Sequence, residues 1–286
     1  MAKIVEKKQL SDEVFLMRVY APLIAEERKA GQFVILQVNL DYGERIPLTI
    51  ADANTEDGTI TIVFQTVGKT THLLADLNVG DDIPVLVGPL GNPTHIEHFG
   101  TVVGVGGGVG IAPLYPIAKA LKEAGNRLII ILGAREKKLL LFEEQMKPLA
   151  DELIICTDDG SYGRKGFVTE PLKEVCARVP HPDLVVAIGP AIMMKNCTEI
   201  TRPLGIKTIV SLNTIMIDGT GMCGSCRITA GNKTKFVCVD GPEFDGHQVD
   251  FDNLLKRLAI YKKEETLAHE QYHKCKLTEI VAEKKT

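Results

Sequence analysis

The chain has 286 residues, of which 45% are hydrophobic, and 33 basic against 37 acidic side chains leave a net charge of −4. That length allows two domains, or three if one is small, each with a filled core, and the charge argues against a general affinity for nucleic acid or anionic membrane. No apolar run reaches the length of a membrane span and nothing in the first residues reads as a signal peptide, so a reducing, cytoplasmic setting is expected.

Residues 1–98 read as β structure. VFLMRVYAP, QFVILQVN, IPLTIAD, TITIVFQTV and DDIPVLVGPLG are short, β-branched segments parted by turn signals such as Asp57-Gly58, the spacing of a small antiparallel barrel. Only one helix is expected to interrupt them, starting near Thr70-Thr71 with a hydroxyl cap and carrying Leu73, Leu74 and Leu77. Two places carry candidate chemistry. Arg45-Ile46-Pro47-Leu48-Thr49 combine a cation, a fixed turn and a hydroxyl in one strand, and Gly68-Lys69-Thr70-Thr71 precede a helix N-terminus, where free N–H groups favour a phosphate. Taken singly, each is better explained as a β-former or a cap.

From residue 99 strands and helices alternate. Strands at 101–105, RLIIILGAR, DELIICTDD and DLVVAIGP are interleaved with helices at 113–123, 138–149 and 169–179, which means a parallel sheet. Ligands of such sheets sit at the carboxyl ends of the strands, where Gly106, Gly107, Gly108, Val109, Gly110, Ala134-Arg135, Asp158-Asp159 and Gly189-Pro190 fall. The glycine run misses G-x-G-x-x-G because Val109 holds the last place. A strand, a turn without side chains and a helix N-terminus still suffice for a pyrophosphate to approach closely.

The stretch SLNTIMIDGTGMCGSCRITAGNKTKFVCVD concentrates three of the seven cysteines beside a Gly-rich loop. Cys223 and Cys226 form C-x2-C, Cys238 follows, and Asp218 stands where plant-type [2Fe-2S] proteins place the first cysteine of C-x4-C-x2-C. A carboxylate can ligate iron as a monoanion, so Asp218, Cys223, Cys226 and Cys238 form a candidate cluster site around which Gly219, Gly221 and Gly224 let the backbone wrap. Zinc in the cysteine set, a disulfide, and Asp218 as an ordinary turn residue with a fourth ligand from elsewhere are the competing readings. Cys156, Cys176, Cys197 and Cys275 lie outside this loop, and the first three are expected to be buried thiols. Beyond Asp250 the chain reads as one long amphipathic helix with Leu254, Leu255, Leu258, Tyr261 and Leu267 at helical spacing, packed either on its own chain or on a partner beside the cluster.

The ordered series R-I-P-L-T, G-K-T-T, G-G-G-V-G-I-A-P-L, L-G-A-R, T-D-D-G-S-Y-G, I-G-P-A-I-M-M and the cysteine loop resembles the ferredoxin-NADP+ reductase superfamily over residues 3–250. Within it the chain resembles the electron-transfer subunits of dihydroorotate dehydrogenase B. With Asp218 and a charged C-terminal extension it is more similar still to the small subunit of electron-bifurcating NADH-dependent reduced ferredoxin:NADP+ oxidoreductase. The resemblance implies a β-barrel plus α/β fold: an antiparallel FAD-binding barrel (1–98), a parallel-sheet NAD(P)-binding domain (99–210), a small ferredoxin-like [2Fe-2S] domain (211–250) and a helical tail (251–286) that could dock a partner.

Residue by residue, the resemblance puts Ile46, Pro47, Leu48 and Thr49 on the flavin strand, with Leu48 against the isoalloxazine and Thr49 near its redox edge. Val63, Phe64 and Gln65 match the second flavin strand, and Thr70 and Thr71 the phosphate pair. Arg45 comes one residue before the family's arginine and is expected on the opposite face. Gly106 to Gly110, Asp159, Gly189 and Pro190 match the nucleotide side. The activity implied is hydride transfer between NAD(H) and FAD, with no protein acid or base, and single electrons passed through the [2Fe-2S] cluster to a larger flavin and iron–sulfur subunit, with ferredoxin reached indirectly. Arg135, Lys137 and Lys138 are the groups that could hold a 2′-phosphate, but the resemblance favours NAD(H). The alternatives are the dihydroorotate dehydrogenase subunit itself and a passive electron carrier.

Overall fold

The computed structural model describes residues 2–41 and 43–283, with side chains up to residue 272. Its first sheet comprises β1 (Ala2–Gln9), β2 (Val14–Tyr20), β3 (Phe33–Gln37), β4 (Arg45–Asn54), β5 (Thr59–Gln65), β6 (Asp82–Ile83) and β7 (Val85–Leu90). The strands run antiparallel in the order β6-β1-β2-β5-β4-β3-β7, a nearly closed barrel. Strand alternation sorts the side chains. Ile60, Ile62 and Phe64 turn inward against Met17, Val34, Leu36 and Ile50, whereas Val63 faces out and packs with Val14 and Ala51 onto the following domain.

Two features escape the sequence pattern. β1 carries charges on half of its positions and buries only Ala2 and Ile4, so its apolar signal is weak. A second short helix, α1 (Pro22–Glu27), is present where only one was expected, because Pro22 starts it and Ile24 and Ala25 bury on the barrel end. The expected helix is α2 (Lys69–Asp76). Its N-cap is Gly68 rather than a hydroxyl residue, and Thr71 Oγ1 instead accepts the N–H groups of Val67 and Gly68 at 3.1 Å each.

The second sheet contains β8 (Thr101–Gly107), β9 (Arg127–Ala134), β10 (Glu152–Thr157), β11 (Arg164–Lys165), β12 (Leu184–Ile188) and β13 (Lys207–Ser211). All pair in parallel, in the order β11-β10-β9-β8-β12-β13. Helix α3 (Ile111–Glu123) covers one face, and α5 (Thr169–Cys176) and α6 (Ala191–Thr201) cover the other, so the strands are apolar on both sides. Because β9 lies on one side of β8 and β12 on the other, the strand order reverses at β8, and a crevice opens where these strands end. The helix expected over 138–149 shrinks to a 3-10 turn at Lys137–Leu139 and the four-residue α4 (Glu143–Met146), separated by Phe142 in the left-handed conformation at φ 56°. The helix expected over 169–179 stops at Cys176.

The remaining chain forms a hairpin of β14 (Arg227–Ala230) and β15 (Lys233–Phe236), the short helix α7 (Val237–Asp240), and strand β16 (Glu243–Asp245). β16 adds antiparallel to β13, so the segment carrying the cysteines lends a strand to the nucleotide-side sheet. The single tail helix expected from the sequence is two: α8 (Phe251–Leu258) and α9 (Lys262–Glu283). They separate because they cover different surfaces. α8 buries Phe251 and Leu254 in the core beneath the hairpin, whereas α9 lies on α2, with His269 Nε2 3.1 Å from His72 Nε2 and the Tyr272 hydroxyl donating to Asp76 at 2.6 Å. No helix of the described residues is long and apolar enough to cross a membrane.

Candidate functional site: a cavity joined to a cysteine loop

A cavity of about 840 Å³ opens between the barrel and the parallel sheet. Pro47, Leu48 and Thr49 of β4 and Val63 and Gln65 of β5 supply its barrel wall, and Gly107, Gly108, Val109 and Gly110 the sheet wall, with Gly189 and Pro190 beside them. The glycines are there for reasons that can be named. A side chain on Gly110 would meet the Ile188 carbonyl oxygen at 2.5 Å, so only glycine lets the two loops touch. Gly108 has φ +56° and nothing within 4 Å of where a Cβ would stand, so its backbone borders open space. The 3-10 turn Gly108–Gly110 runs straight into α3, whose first N–H, on Ile111, bonds back to Gly108, so the turn itself and the positive end of the helix dipole lie at the cavity.

Other expected residues lie elsewhere. Phe64 and Ile46 point into the barrel core, on the opposite strand face from Val63 and Pro47, and Gly106 is buried under Ile111 and Leu114 of α3. Thr70 is buried and donates to Glu44 at 3.0 Å, and the Thr71 hydroxyl donates to the Gly68 carbonyl at 2.9 Å. Asp158 borders the cavity, while its neighbour Asp159 accepts the N–H of Ser161 at 2.9 Å, and that bond holds its carboxyl below the usual range. Arg45 is exposed and reaches Gln37 on β3. Of the three basic groups after β9, only Arg135 lines the cavity. Lys137 stacks its ammonium 4.7 Å from the Tyr162 ring centroid, and Lys138 pairs with Glu136 at 3.3 Å and Asp12 at 3.7 Å.

Sequence reasoning missed one wall altogether. Ser211 at the end of β13 and Leu212, Asn213, Thr214 and Met216, in the linker from β13 to the cysteine loop, all border the cavity. Nothing in their types announces this. Leu212 N–H donates to the Pro242 carbonyl at 2.9 Å, tying the linker to the start of β16, and Thr214 Oγ1 is buried without a hydrogen-bond partner.

The linker runs directly into the cysteine loop. Cys226 and Cys238 are buried with their Sγ atoms 3.2 Å apart, and burial together with the adjacent Cys226 pushes the Cys238 thiol upward. Cys223 is exposed. The Ser225 hydroxyl and N–H hold its thiol below the ordinary range, and the Asp218 N–H also reaches its sulfur. Asp218 Oδ2 accepts the N–H of Thr220 at 3.0 Å and the Thr220 hydroxyl as well, which lowers its own pKa. Gly219 and Gly221 have φ +82° and +86°, and a Cβ on Gly219 would stand 2.7 Å from Ile35, so this loop needs glycine to lie against the barrel. Among the described residues no three His, Cys, Asp or Glu side chains already converge on one ion position. Cys226 and Cys238 already stand as a pair, whereas Asp218 reaches Cys223 through its backbone N–H and turns its carboxylate onto Thr220. Three thiols and a carboxylate, with two of the thiols already side by side, suit the two irons of a [2Fe-2S] unit better than one tetrahedral zinc.

Comparison with known proteins agrees with this division of labour. Residues 105–199 match the oxidoreductase NAD-binding domain, and residues 213–250 match the iron-sulfur cluster binding domain of dihydroorotate dehydrogenase B. A Thermotoga maritima protein named as a dihydroorotate dehydrogenase B (NAD(+)) electron transfer subunit homolog is 50% identical over 95% of both chains. The corresponding subunit of Bacillus pumilus is 32% identical over 86% of this chain and 96% of its own. A chain from a solved NADH-dependent reduced ferredoxin-NADP oxidoreductase superposes with a TM-score of 0.89 at 49% identity, covering 95% of this chain and 98% of that one. The protein is therefore an electron-transfer oxidoreductase that works with FAD, an iron–sulfur cluster and NAD(H). With those identities over nearly its whole length, the chain belongs to the family of dihydroorotate dehydrogenase B electron transfer subunits.

Proposed function

We propose that this chain is the small subunit of an NADH-dependent reduced ferredoxin:NADP+ oxidoreductase, accepting hydride from NADH in the cavity and delivering single electrons toward a larger flavin and iron–sulfur subunit, with ferredoxin served indirectly. The observation that carries the reading is the shared wall. Thr214 borders the cavity and Asp218 begins the cysteine loop, so the two are four residues apart and at most about 14 Å of extended chain separates them.

Flavin, when bound, takes up a hydride and gives up electrons one at a time, and an iron–sulfur cluster carries them singly. The chain's own residues do the rest. Pro47, Leu48, Thr49, Val63 and Gln65 form the platform for the flavin ring, and the Gly107 to Gly110 turn together with Gly189 and Pro190 admits the pyrophosphate of NADH against backbone N–H groups. Leu48, Val63, Val109 and Met193 make much of the lining apolar, which excludes water while the two rings are stacked. Ile46, Phe64 and Gly106 support these walls from behind, and Asp159 shapes the loop beside Asp158. Thr70 and Thr71 leave the α2 N-terminus as the flavin phosphate site only if Glu44 releases the Thr70 hydroxyl. Asp218, Cys223, Cys226 and Cys238 would hold the [2Fe-2S] cluster, which would pass on electrons singly.

Exposed Met222, Ile217 and Val239 surround this loop and suit a partner surface next to the cluster. α9 offers a second contact, since it rests on α2 while Leu267 stays exposed. The six cysteines with described side chains are all free, which fits a reducing cytoplasm. A passive carrier would not need the cavity. A diaphorase assay tests the reading: the protein loaded with FAD and iron should oxidise NADH with an artificial acceptor, and its failure to do so with both cofactors bound would refute it.

A further inference from the structure

Two arginines hold the segment between Cys223 and Cys226 from outside. Arg227 donates to the Gly224 carbonyl at 3.2 Å, and Arg257, half-buried in the last turn of α8, donates to the Ser225 carbonyl at 3.0 Å. In a trans peptide the carbonyl and the following N–H point in opposite directions. Drawing these two carbonyls outward therefore turns the N–H groups of Ser225 and Cys226 inward, and the Ser225 N–H, with its hydroxyl, reaches the Cys223 sulfur. Arg257 is itself firmly placed. The Asp250 side chain caps α8 by accepting the Asn253 N–H at 2.9 Å, the Asp250 N–H bonds the Thr229 carbonyl of β14 at 2.9 Å, and Asp252 pairs with Lys195 of α6 at 2.8 Å, while Phe251 and Leu254 are buried. Among the described residues neither arginine is paired with a carboxylate, so both positive charges stand uncompensated beside the loop.

Three thiolates and a carboxylate leave a [2Fe-2S] cluster negative before it is reduced, and one electron makes it more so, which is why hydrogen bonds to the sulfurs and nearby positive charge favour the reduced form. We infer that Arg257 is a positioning residue of the cluster, holding the Cys223–Cys226 loop with its N–H groups toward the sulfurs and lending a positive charge that makes the cluster easier to reduce. This rests on the ligand set proposed above and adds to it a residue of the tail, beyond residue 250, where the matched iron-sulfur domain ends. The tail then acts on electron transfer from within the chain, apart from any partner it docks.

The test uses the full chain loaded with FAD and iron. Arg257→Met removes the charge and the bond, and Arg257→Lys keeps a cation that can donate to the same carbonyl. Iron content, melting temperature and the cluster midpoint potential are read on each, the last by dithionite titration with mediators followed by electron paramagnetic resonance. Arg257→Met should move the cluster midpoint negative, the reduced-to-oxidised ratio at a fixed potential falling about tenfold, the equivalent of roughly 59 mV for one electron. The flavin potential and NAD+ affinity should stay as in the wild type, and Arg257→Lys should recover most of the shift. A methionine variant that melts earlier but keeps the wild-type cluster potential makes Arg257 a structural tie only and overturns the inference alone, as does a lysine variant displaced as far as the methionine one. If Arg257→Met does not retain iron, Arg257→Gln, a neutral donor, is titrated and read by the same criteria. Wild-type protein that carries zinc, or no iron, at these cysteines overturns the proposed cluster site and this inference together.

Discussion

The Sγ atoms of Cys226 and Cys238 lie 3.2 Å apart in the protein interior, although twelve residues separate them in the chain. The β14–β15 hairpin brings them together, folding over the left-handed Gly231-Asn232 turn at φ 58° and 61° so that α7 carries Cys238 back beneath Cys226. The pair forms one half of the proposed cluster site, and Asp218 decides the other half.

Asp218→Ala should lose most of the iron, and Asp218→Cys should keep the cluster with an altered potential. Iron content and a redox titration check this. Because Asp218 also closes a turn onto Thr220, a turn-only role predicts the opposite pattern: unchanged iron and potential in the cysteine variant, and loss of neither in the alanine variant.

The thiols should separate by reactivity once iron is removed. Cys223 is exposed and held low by Ser225, so it should be alkylated first. Burial pushes Cys176 up to about 11 and Cys197 up to about 12, so both should stay unlabelled in native protein at pH 8 by mass spectrometry. Serine at Cys176 or Cys197 should leave the iron content unchanged and cost about 1–3 kcal/mol of stability for a buried hydroxyl.

Gly108 and Gly110 should fail differently. Gly108→Val projects into open cavity space at positive φ and should abolish NADH-driven flavin reduction with FAD still bound. Gly110→Val would collide with the Ile188 carbonyl, so it should lower thermal stability before activity is even measured. Stopped-flow flavin reduction and a melting curve on each variant separate the two.

A pH dependence is expected from the seam between barrel and β16. Thr94 donates to Glu243 at 2.6 Å, and although Glu243 as a residue keeps some exposure, burial of its carboxyl raises the pKa from 4.5 to about 7. A raised acid pKa means the stability is fully present below about pH 4.5 and is lost as pH rises to 7, by about 3 kcal/mol at most. Urea unfolding of Glu243→Gln at pH 5 and pH 7.5 should show a smaller difference than the wild type.

Truncation should distinguish the two tail helices. Ending the chain after Tyr261 removes α9 alone and should leave flavin, iron and NADH oxidation intact while weakening the hold on the larger subunit on a sizing column. Ending it after Asp250 also removes buried Phe251 and Leu254 and the Arg257 bond to the Ser225 carbonyl at 3.0 Å, so that chain should lose several kcal/mol and its cluster.

Much of this was legible because local chemistry and global fold agree. The barrel strands alternate, the parallel strands are apolar on both faces, and the glycine turn and the cysteine spacing each demand their residue types. What stayed hidden depends on tertiary pairing. β16 is three residues long and has meaning only beside β13, and Thr214 becomes a wall residue only because Leu212 is tied to Pro242. The tail divides at Ala259 through the surfaces that α8 and α9 cover, which helical spacing alone does not encode. Phe64 shares β5 with the cavity-lining Val63 and Gln65, but the strand's period of two turns it to the other face. Cys275 lies outside the residues whose side chains are described.

The most direct measurement is anaerobic reduction of the purified chain, carrying FAD and iron, by NADH alone, followed by flavin absorbance and by electron paramagnetic resonance of the frozen sample. The account predicts that the flavin bleaches and that a reduced iron–sulfur signal appears with no other reductant added. Flavin that bleaches while a fully loaded cluster stays oxidised and silent would contradict the route from cavity to cysteine loop.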